Sequence, residues 1–246
     1  MTVQIIEIMR RSQQGITRPF ICRGDDGLTY FVKGKGAGRH SLIAEWICGS
    51  LARRIGLPVA AFRIVEVPAA LIRPDMAPEL ELHDLGAGPA FGSQHREVME
   101  LTSASIQEIP LQLQQDVLVF DWWIRNADRY LTEKGGNPNL FWNPHESELM
   151  VIDHNQAFDP KFNSKDFLSL HVFARQKTQV FGDIICRHDY NLKLEAALSS
   201  WQQIVGAIPD EWHFSDPEMT VPAELTPDMA YRTLTRYESD EFWSTT

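Results

Sequence analysis

Residues 121–130 read Asp-Trp-Trp-Ile-Arg-Asn-Ala-Asp-Arg-Tyr, and this stretch does most to decide the fold. It ends a predicted helix whose apolar face is formed by Leu113, Val117, Phe120 and Ile124. The helix runs straight into a polar cluster, and Asn126, Asp128 and Arg129 need partners or a ligand if they are buried there. The alternative is that Asn126 and Asp128 cap the helix end and that Arg129 pairs with Asp128.

Two short apolar segments follow, residues 139–142 and 149–153, and they predict a β-hairpin. Asn139 directly precedes the first strand and Asp153 ends the second, so pairing of the strands would bring the two side chains together. An amide oxygen and a carboxylate form an all-oxygen site suited to Mg²⁺. Both residues are also common in ordinary turns, and Asn137 is a second candidate for the amide ligand.

The first third of the chain is predicted to be rich in strands, with one helix. Residues 20–23 and 28–33 contain many β-branched and aromatic residues and flank a Gly-Asp-Asp-Gly turn, which indicates a hairpin. The helix is predicted from residue 42 to residue 55, with Ser41 as its N-cap. Residues 59–67 alternate like a further strand, whereas residues 71–92 are rich in Pro and Gly and are predicted to form a loop or an irregular insertion.

Helical patterns dominate beyond about residue 101. One apolar stripe is formed by Leu194, Leu198, Trp201 and Val205, and Thr226-Pro227-Asp228 predicts a helix start. We therefore predict an α+β fold in which a sheet-rich N-terminal part, residues 1–100, precedes a helical part, residues 101–246.

The order of polar residues fits phosphoryl transfer from ATP, which needs a phosphate-binding cation, a carboxylate to orient it, a base, and oxygen ligands for metal ions. Lys33 ends a predicted strand, and Glu45 lies twelve positions later on the helix, where it could pair with Lys33. Taken alone, each of these two residues also fits an ordinary solvent-facing side chain. Asp128 is the candidate base, and Asn139 and Asp153 are the candidate ligands of Mg²⁺.

Two segments are candidates for contact with phosphate. Residues 14–19, between the first two strands, could offer the backbone N–H groups of Gly15 and Thr17. The glycine-rich residues 34–39 lack the Gly-x-x-x-x-Gly-Lys-Ser/Thr pattern, so we predict a flexible connection there rather than a P-loop.

At this point the sequence resembles the HipA-like kinases, in particular the short stand-alone members of that family. The resemblance implies a two-lobed protein-kinase-like fold, with Asp128 as the catalytic base and Asn139 and Asp153 as metal ligands. Asp-Arg followed by Asn-Leu is also similar to phosphatidylinositol kinases, which leaves a non-protein acceptor open. The stretches that carry the resemblance are residues 30–33, 44–59, 121–129, 137–140 and 151–154.

The chain also departs from the kinase pattern. The Asn of a common kinase catalytic loop lies five residues after the Asp, whereas Asn139 lies eleven positions after Asp128, so an insertion near residues 131–136 is required. The chain is shorter than full HipA toxins and lacks their extra N-terminal region, which leaves a toxin function and a repressor partner open.

Composition excludes several classes of protein. The formal net charge is −10, which argues against direct binding of nucleic acid. The three cysteines form no CxxC pair, which argues against a zinc site or a disulfide framework. No apolar run approaches the roughly 18 residues of a membrane span, and the first residues do not resemble a signal peptide. We expect a cytoplasmic protein with reduced thiols.

We therefore predict an ATP- and Mg²⁺-dependent phosphotransferase, a HipA-like kinase, that moves the γ-phosphoryl of ATP to a hydroxyl acceptor, with a protein Ser or Thr as the first choice. Two alternatives remain open, namely a pseudokinase or nucleotide-binding module without turnover, and a small-molecule or lipid kinase.

Overall fold

The computed structural model describes residues 2–13, 17–73, 80–96, 99–132 and 135–244. The chain divides into two compact units, each assembled from three segments. Unit 1 comprises Met1–Trp46, Ala60–Glu97 and Ile208–Glu224, and unit 2 comprises the intervening segments and the C-terminus. Residues 208–224 thus belong to unit 1, although they follow the long helical part of the chain.

A closed five-stranded β-barrel, in the order β1-β2-β3-β5-β4, is the main feature of unit 1. Its strands are β1 (Val3–Arg11), β2 (Phe20–Gly24), β3 (Thr29–Lys33), β4 (Phe62–Val67) and β5 (Gly88–Gln94). All neighbouring strands are antiparallel except β1 and β4, which pair in parallel at Val3 and Val65. The hairpin predicted from residues 20–33 is confirmed as β2–β3.

Strand β5 corrects the prediction that residues 71–92 form a loop or an irregular insertion. The strand pairs with both β3 and β4, so its backbone is central to the barrel. Its sequence, Gly-Pro-Ala-Phe-Gly-Ser-Gln, has no β-branched residue, which hides the strand from propensity rules. Gly92 is required by packing, because a Cβ there would lie 2.7 Å from Cγ1 of Val65.

Helix α1 (Arg39–Arg54) follows β3 and carries the predicted buried stripe of Ile43, Ile47 and Leu51. The prediction of Ser41 as its N-cap is wrong, because the helix begins two residues earlier and Ser41 is buried within its first turn.

The glycine-rich connection to α1 is anchored rather than flexible, which corrects a second prediction. Residues Lys35–Ala37 form a 3₁₀ turn, and the backbone N–H groups of Lys35 and Gly36 donate to the carbonyls of Leu85 and Asp84. A Cβ at Gly34 would lie 2.0 Å from the carbonyl oxygen of Leu85, and a Cβ at Gly36 would lie 2.7 Å from Cβ of Asp84, which explains both glycines.

Unit 2 contains the remaining helices. They are α2 (Leu111–Trp123), α3 (Ser164–Leu170), α4 (Lys177–Gly182), α5 (Ile184–Leu198), α6 (Trp201–Val205) and α7 (Pro227–Leu234). Helix α2 is buried along most of its length, and the rings of Phe162, Phe167, Phe181 and Phe242 lie 5.3–6.2 Å from that of Trp122. The stripe predicted over residues 194–205 is divided between α5 and α6, and the helix start at Thr226 is confirmed by its cap on Met229.

Two small hairpins follow α2. The first is β6 (Tyr130–Thr132) with β7 (Gly135–Asn137), and the second is β8 (Leu140–Asn143) with β9 (Glu148–Val151). The second hairpin was predicted from sequence and is confirmed. The fold is thus mixed α/β, with a sheet-rich N-terminal region and helices later, as predicted. Across the described ranges, no helix combines the length and the apolar character required to cross a membrane.

Candidate active site

Lys33 and Glu45 lie together in unit 1. Nζ of Lys33, the last residue of β3, is 2.5 Å from Oε1 of Glu45 on α1. Both side chains are largely buried, with 10% and 5% of their surface exposed. Neither residue is therefore an ordinary solvent-facing side chain. Their assignment to phosphate binding stays a prediction.

The candidate phosphate loop is only partly described. Gly15 lies outside the described residues, whereas Thr17 is half-buried in the connection between β1 and β2. The N–H of Ser12 donates to the carbonyl of Pro19 at 2.8 Å, which closes the base of this connection. A contact of Gly15 or Thr17 with phosphate stays a prediction.

In unit 2, the polar cluster after α2 is organised around Asp121, a fully buried carboxylate inside an apolar helix. Its Oδ2 accepts from Nε of Arg129 at 2.6 Å and lies 3.0 Å from Nε2 of His171, while its Oδ1 accepts from Nδ2 of Asn126. The N–H of Phe173 donates to Nδ1 of His171, so Nε2 carries the proton and donates to Asp121. Arg129 thus bonds to Asp121 and not to Asp128.

The charges in this cluster stabilise one another. Burial works against ionisation of Asp121, but the positive charge of Arg129 and the hydrogen bond from His171 outweigh it and lower the pKa of Asp121 to about 2. Burial lowers the pKa of His171. The cluster is therefore an ion pair of Asp121 and Arg129 with a neutral His171 beside it.

Arg129 connects this buried ion pair to the loop and the hairpin that carry the candidate metal ligands. Its Nη1 donates to the carbonyls of Pro138, Asn139 and Ile152, at 3.1, 2.6 and 3.2 Å. These carbonyls belong to Asn139 itself and to the residues immediately before Asn139 and Asp153. One guanidinium therefore fixes the backbone at both candidate ligands.

Asn139 and Asp153 also share an uncommon backbone conformation. Their φ angles are +48° and +57°, in the left-handed region that Asn and Asp tolerate better than most residues. The N–H of Ile152 donates to the carbonyl of Asn139 at 3.1 Å, which places the residue before Asp153 directly against Asn139. The predicted proximity of the two segments is thus present in the backbone.

Asp128 lies half-buried beside two amide side chains. Its Oδ2 accepts from Nδ2 of Asn137 at 3.0 Å and from Nδ2 of Asn139 at 3.2 Å. Burial raises the pKa of Asp128, the two amide hydrogen bonds oppose that shift, and the negative charge of Asp153 adds to it. A carboxylate with a raised pKa next to polar groups is typical of a general base.

The hairpin β6–β7 explains the long spacing between Asp128 and Asn139. Strand β6 begins directly after Arg129 and β7 ends at Asn137, so the inserted residues form a hairpin of their own. Both asparagines that follow it bond to Asp128. The predicted insertion therefore leaves the contact between Asp128 and Asn139 in place.

The residues near Asp153 fit Mg²⁺ by their chemistry. Asp128 and Asp153 repel each other, and the Asn139 amide that donates to Asp128 keeps its oxygen as an acceptor. Carboxylate and amide oxygens are the ligands of this ion. No group of three or more His, Cys, Asp or Glu residues within the described ranges is arranged to hold a metal, so such an ion would also need oxygens from phosphate or water.

Sequence reasoning missed two residues of this site, Asp121 and His171. The sequence does indicate Asp121, because it lies within the apolar run Val-Leu-Val-Phe-Asp-Trp-Trp. A helix formed by that run would be buried on all sides, and a buried carboxylate needs a cation. The sequence does not indicate His171, because it lies fifty positions from Asp121 and only the tertiary fold brings them together.

The family model for the HipA-like kinases matches residues 5–246, so the chain belongs to the HipA-like kinase family. It is therefore a kinase-type phosphotransferase. A search of curated proteins gave no match.

Among solved structures, the chain is similar to the proinflammatory kinase CtkA of Helicobacter pylori, with 11% identity and a TM-score of 0.48 over 98% of this chain and 95% of that one. It is also similar to the open conformation of CtTel1, with 12% identity and a TM-score of 0.30 over 95% of this chain and 11% of that one. The FAT and kinase domain of CtTel1 gives 13% identity and a TM-score of 0.30 over 97% of this chain and 22% of that one.

Proposed function

We propose that this chain is an ATP- and Mg²⁺-dependent kinase that transfers the γ-phosphoryl group of ATP to the hydroxyl of a protein Ser or Thr. The observation that carries the proposal is the contact of Asp128 with Asn137 and Asn139 on a backbone held by Arg129. Such an arrangement would hold the base, Asp128, close to the two proposed metal ligands, Asn139 and Asp153, as phosphoryl transfer requires.

In this mechanism Asp128 accepts the proton of the acceptor hydroxyl. The hydroxyl oxygen bonds to the γ-phosphorus while the bond from the γ-phosphorus to the bridging oxygen of the β-phosphate breaks, and ADP leaves. The raised pKa of Asp128 makes it a stronger base than an ordinary aspartate. Asn139 and Asp153 would hold Mg²⁺, which would neutralise charge on the phosphate oxygens. Lys33, oriented by Glu45, would bind the phosphates, with Gly15 and Thr17 as further phosphate contacts.

Comparison of Asp128→Asn with Asp153→Ala tests these roles. Asp128→Asn should bind Mg²⁺-ATP normally in calorimetry, because Asp128 is not among the proposed ligands of the metal or the phosphates. Its turnover should fall by roughly 10²–10⁴. Asp153→Ala should lose Mg²⁺-dependent binding and turnover together. Asp166→Asn, which changes an exposed carboxylate on α3, is the matched control and should change neither quantity.

Several results would contradict the proposal. Normal turnover in both variants would remove Asp128 and Asp153 from the active site. If Asp128→Asn alone loses binding, the two roles are exchanged. If the wild-type chain binds Mg²⁺-ATP but labels neither itself nor any component of a cell lysate, it is a nucleotide-binding module without turnover. Label that appears only in lipid or small metabolites would instead identify a lipid or small-molecule kinase.

A further inference from the structure

A surface groove of about 550 Å³ lies in unit 2 between the first turns of α2, the helix α4 and the first turns of α5. It shares no lining residue with the site around Asp128. The chemistry of its walls indicates what it binds.

Several hydrogen-bond donors that line the groove are bound to groups of the protein itself. Asp116 is largely buried, and its Oδ1 accepts from the Tyr190 hydroxyl and from Nζ of Lys193, both at 2.9 Å. Nε2 of Gln112 also donates to Asp116, at 3.2 Å. The one lysine of the groove is therefore neutralised by Asp116.

Three glutamine side chains of the groove, by contrast, donate a hydrogen bond but accept none from the described residues. Nε2 of Gln179 donates to Asp183 at 3.2 Å and Nε2 of Gln176 donates to Gln114 at 3.1 Å, as Nε2 of Gln112 donates to Asp116. The carbonyl oxygens of these glutamines accept no hydrogen bond from any residue within the described ranges. Asp189 adds an exposed carboxylate. The groove thus presents three carboxylates, Asp116, Asp183 and Asp189, against one lysine, so a ligand that complements this surface carries positive charge.

Two large apolar side chains form part of the same groove. Leu111 is 64% exposed and Ile185 is 73% exposed. Both side chains offer apolar surface to a ligand that occupies the groove. The complementary ligand is thus both cationic and apolar, which fits a peptide and not a simple diamine.

We propose that this groove docks a segment of the protein substrate in which an arginine or lysine stands close to a large apolar residue. The proposal rests on the proposed kinase function. The cationic side chain meets Asp189 and the glutamine carbonyls, and the apolar side chain packs on Leu111 and Ile185.

The position of the groove also sets a spacing within the substrate. Helix α2 begins at the groove and ends shortly before Asp128, and its 13 residues span roughly 20 Å. An extended chain covers about 3.3–3.6 Å per residue, so the accepted hydroxyl lies at least about six residues from the docking motif. Docking then raises the local concentration of the acceptor.

Fluorescence polarisation with labelled synthetic peptides tests the groove directly. The peptides have a Gly-Ser background and carry one arginine and one leucine at varied spacing, or only one of the two. Ile185→Asp and Asp189→Lys should each raise the Kd of the best peptide by about tenfold or more, a change of roughly 1.4 kcal/mol.

Ile184→Asp is the matched control, because Ile184 is 80% exposed in the same first turn of α5 but does not line the groove. An aspartate at either position is favourable near a helix N-terminus, so both variants should fold. The control should keep the wild-type Kd. No saturable binding of any peptide up to about 1 mM overturns the proposal. Equal loss in Ile184→Asp and Ile185→Asp, or equal binding of the peptide without leucine, overturns it as well.

Kinetics separate a failure of docking from a failure of the kinase assignment. With a peptide that carries the motif and a distant serine, Ile185→Asp should raise KM for the peptide while kcat and the affinity for Mg²⁺-ATP stay unchanged. If turnover depends on Asp128 but Ile185→Asp has the wild-type KM, docking is wrong and the kinase assignment stands. If peptides bind at Ile185 but no turnover occurs, the proposed transfer to a protein Ser or Thr fails and the groove is a binding site of another kind.

Discussion

Replacement of Arg129 by methionine should destabilise the protein more than any ordinary surface change. Methionine keeps the apolar packing but leaves Asp121 at 0% exposure without its cation, and it removes the donor to the carbonyls of Asn139 and Ile152. Breaking a buried ion pair from one side costs about 3–5 kcal/mol, which is a large part of the 5–15 kcal/mol that stabilises a typical domain.

The assay is urea denaturation of Arg129→Met, Asp121→Asn and the double variant. Asp121→Asn removes the stranded charge, so the double variant should recover at least about 1 kcal/mol relative to the sum of the single changes. Arg236→Met is the matched control, because Arg236 donates to the carbonyls of Trp122 and Trp123 and hydrogen bonds to no carboxylate within the described ranges. If Arg129→Met costs no more than Arg236→Met, or if the two single changes simply add, the reasoning about the ion pair is wrong.

Three further predictions concern individual carboxylates. Asn137→Ala removes a hydrogen bond that lowers the pKa of Asp128, so the acidic limb of the kcat/KM profile should move to higher pH; an unmoved limb would show that Asp128 is not the titrating base. The folded pKa of Asp121, about 2, lies below the roughly 3.9 of an unfolded aspartate, so its stabilisation should be complete above about pH 5 and lost as the pH falls through 2; acid unfolding curves of the wild type and Asp121→Asn should converge at that end. Lys33→Met is made in a Glu45→Gln background, so that no buried carboxylate loses its cation. Its melting temperature should stay within a few degrees of the Glu45→Gln parent, but the stabilisation by Mg²⁺-ATP, roughly 2.7 kcal/mol at 100 times Kd, should be lost. A full shift of the melting temperature by Mg²⁺-ATP would place Lys33 outside the nucleotide site.

Local patterns were sufficient for the elements that sequence analysis predicted correctly. The hairpins β2–β3 and β8–β9 are short runs of apolar, aromatic and β-branched residues with turn residues between them, and both are present with antiparallel pairing. The contact of Lys33 with Glu45 follows from a strand end and a helix face, and it is present at 2.5 Å.

Tertiary contacts decided the features that sequence analysis missed. Strand β5 forms because β3 and β4 lie on either side of it, although its own residues have little strand propensity. The anchoring of Lys35 and Gly36 depends on residues 84–85, about fifty positions away. The same holds for the approach of His171 to Asp121, which no local spacing in the sequence indicates.

The buried ion pair and the backbone of the candidate site are best understood together. Left-handed backbone at a residue other than glycine costs about 1–2 kcal/mol, somewhat less for Asn and Asp, and both Asn139 and Asp153 adopt it. Hydrogen bonds from a charged donor contribute about 1.5–3 kcal/mol each, and Arg129 donates to the carbonyls of Asn139 and Ile152. These bonds can offset the backbone cost only while Arg129 stays fixed, and Asp121 fixes it at 2.6 Å. Asp121 is therefore a positioning residue. Asp121→Asn should lower kcat more than it raises the KM for ATP, and Asp121→Glu should not restore kcat, because it adds a methylene to a fully buried site.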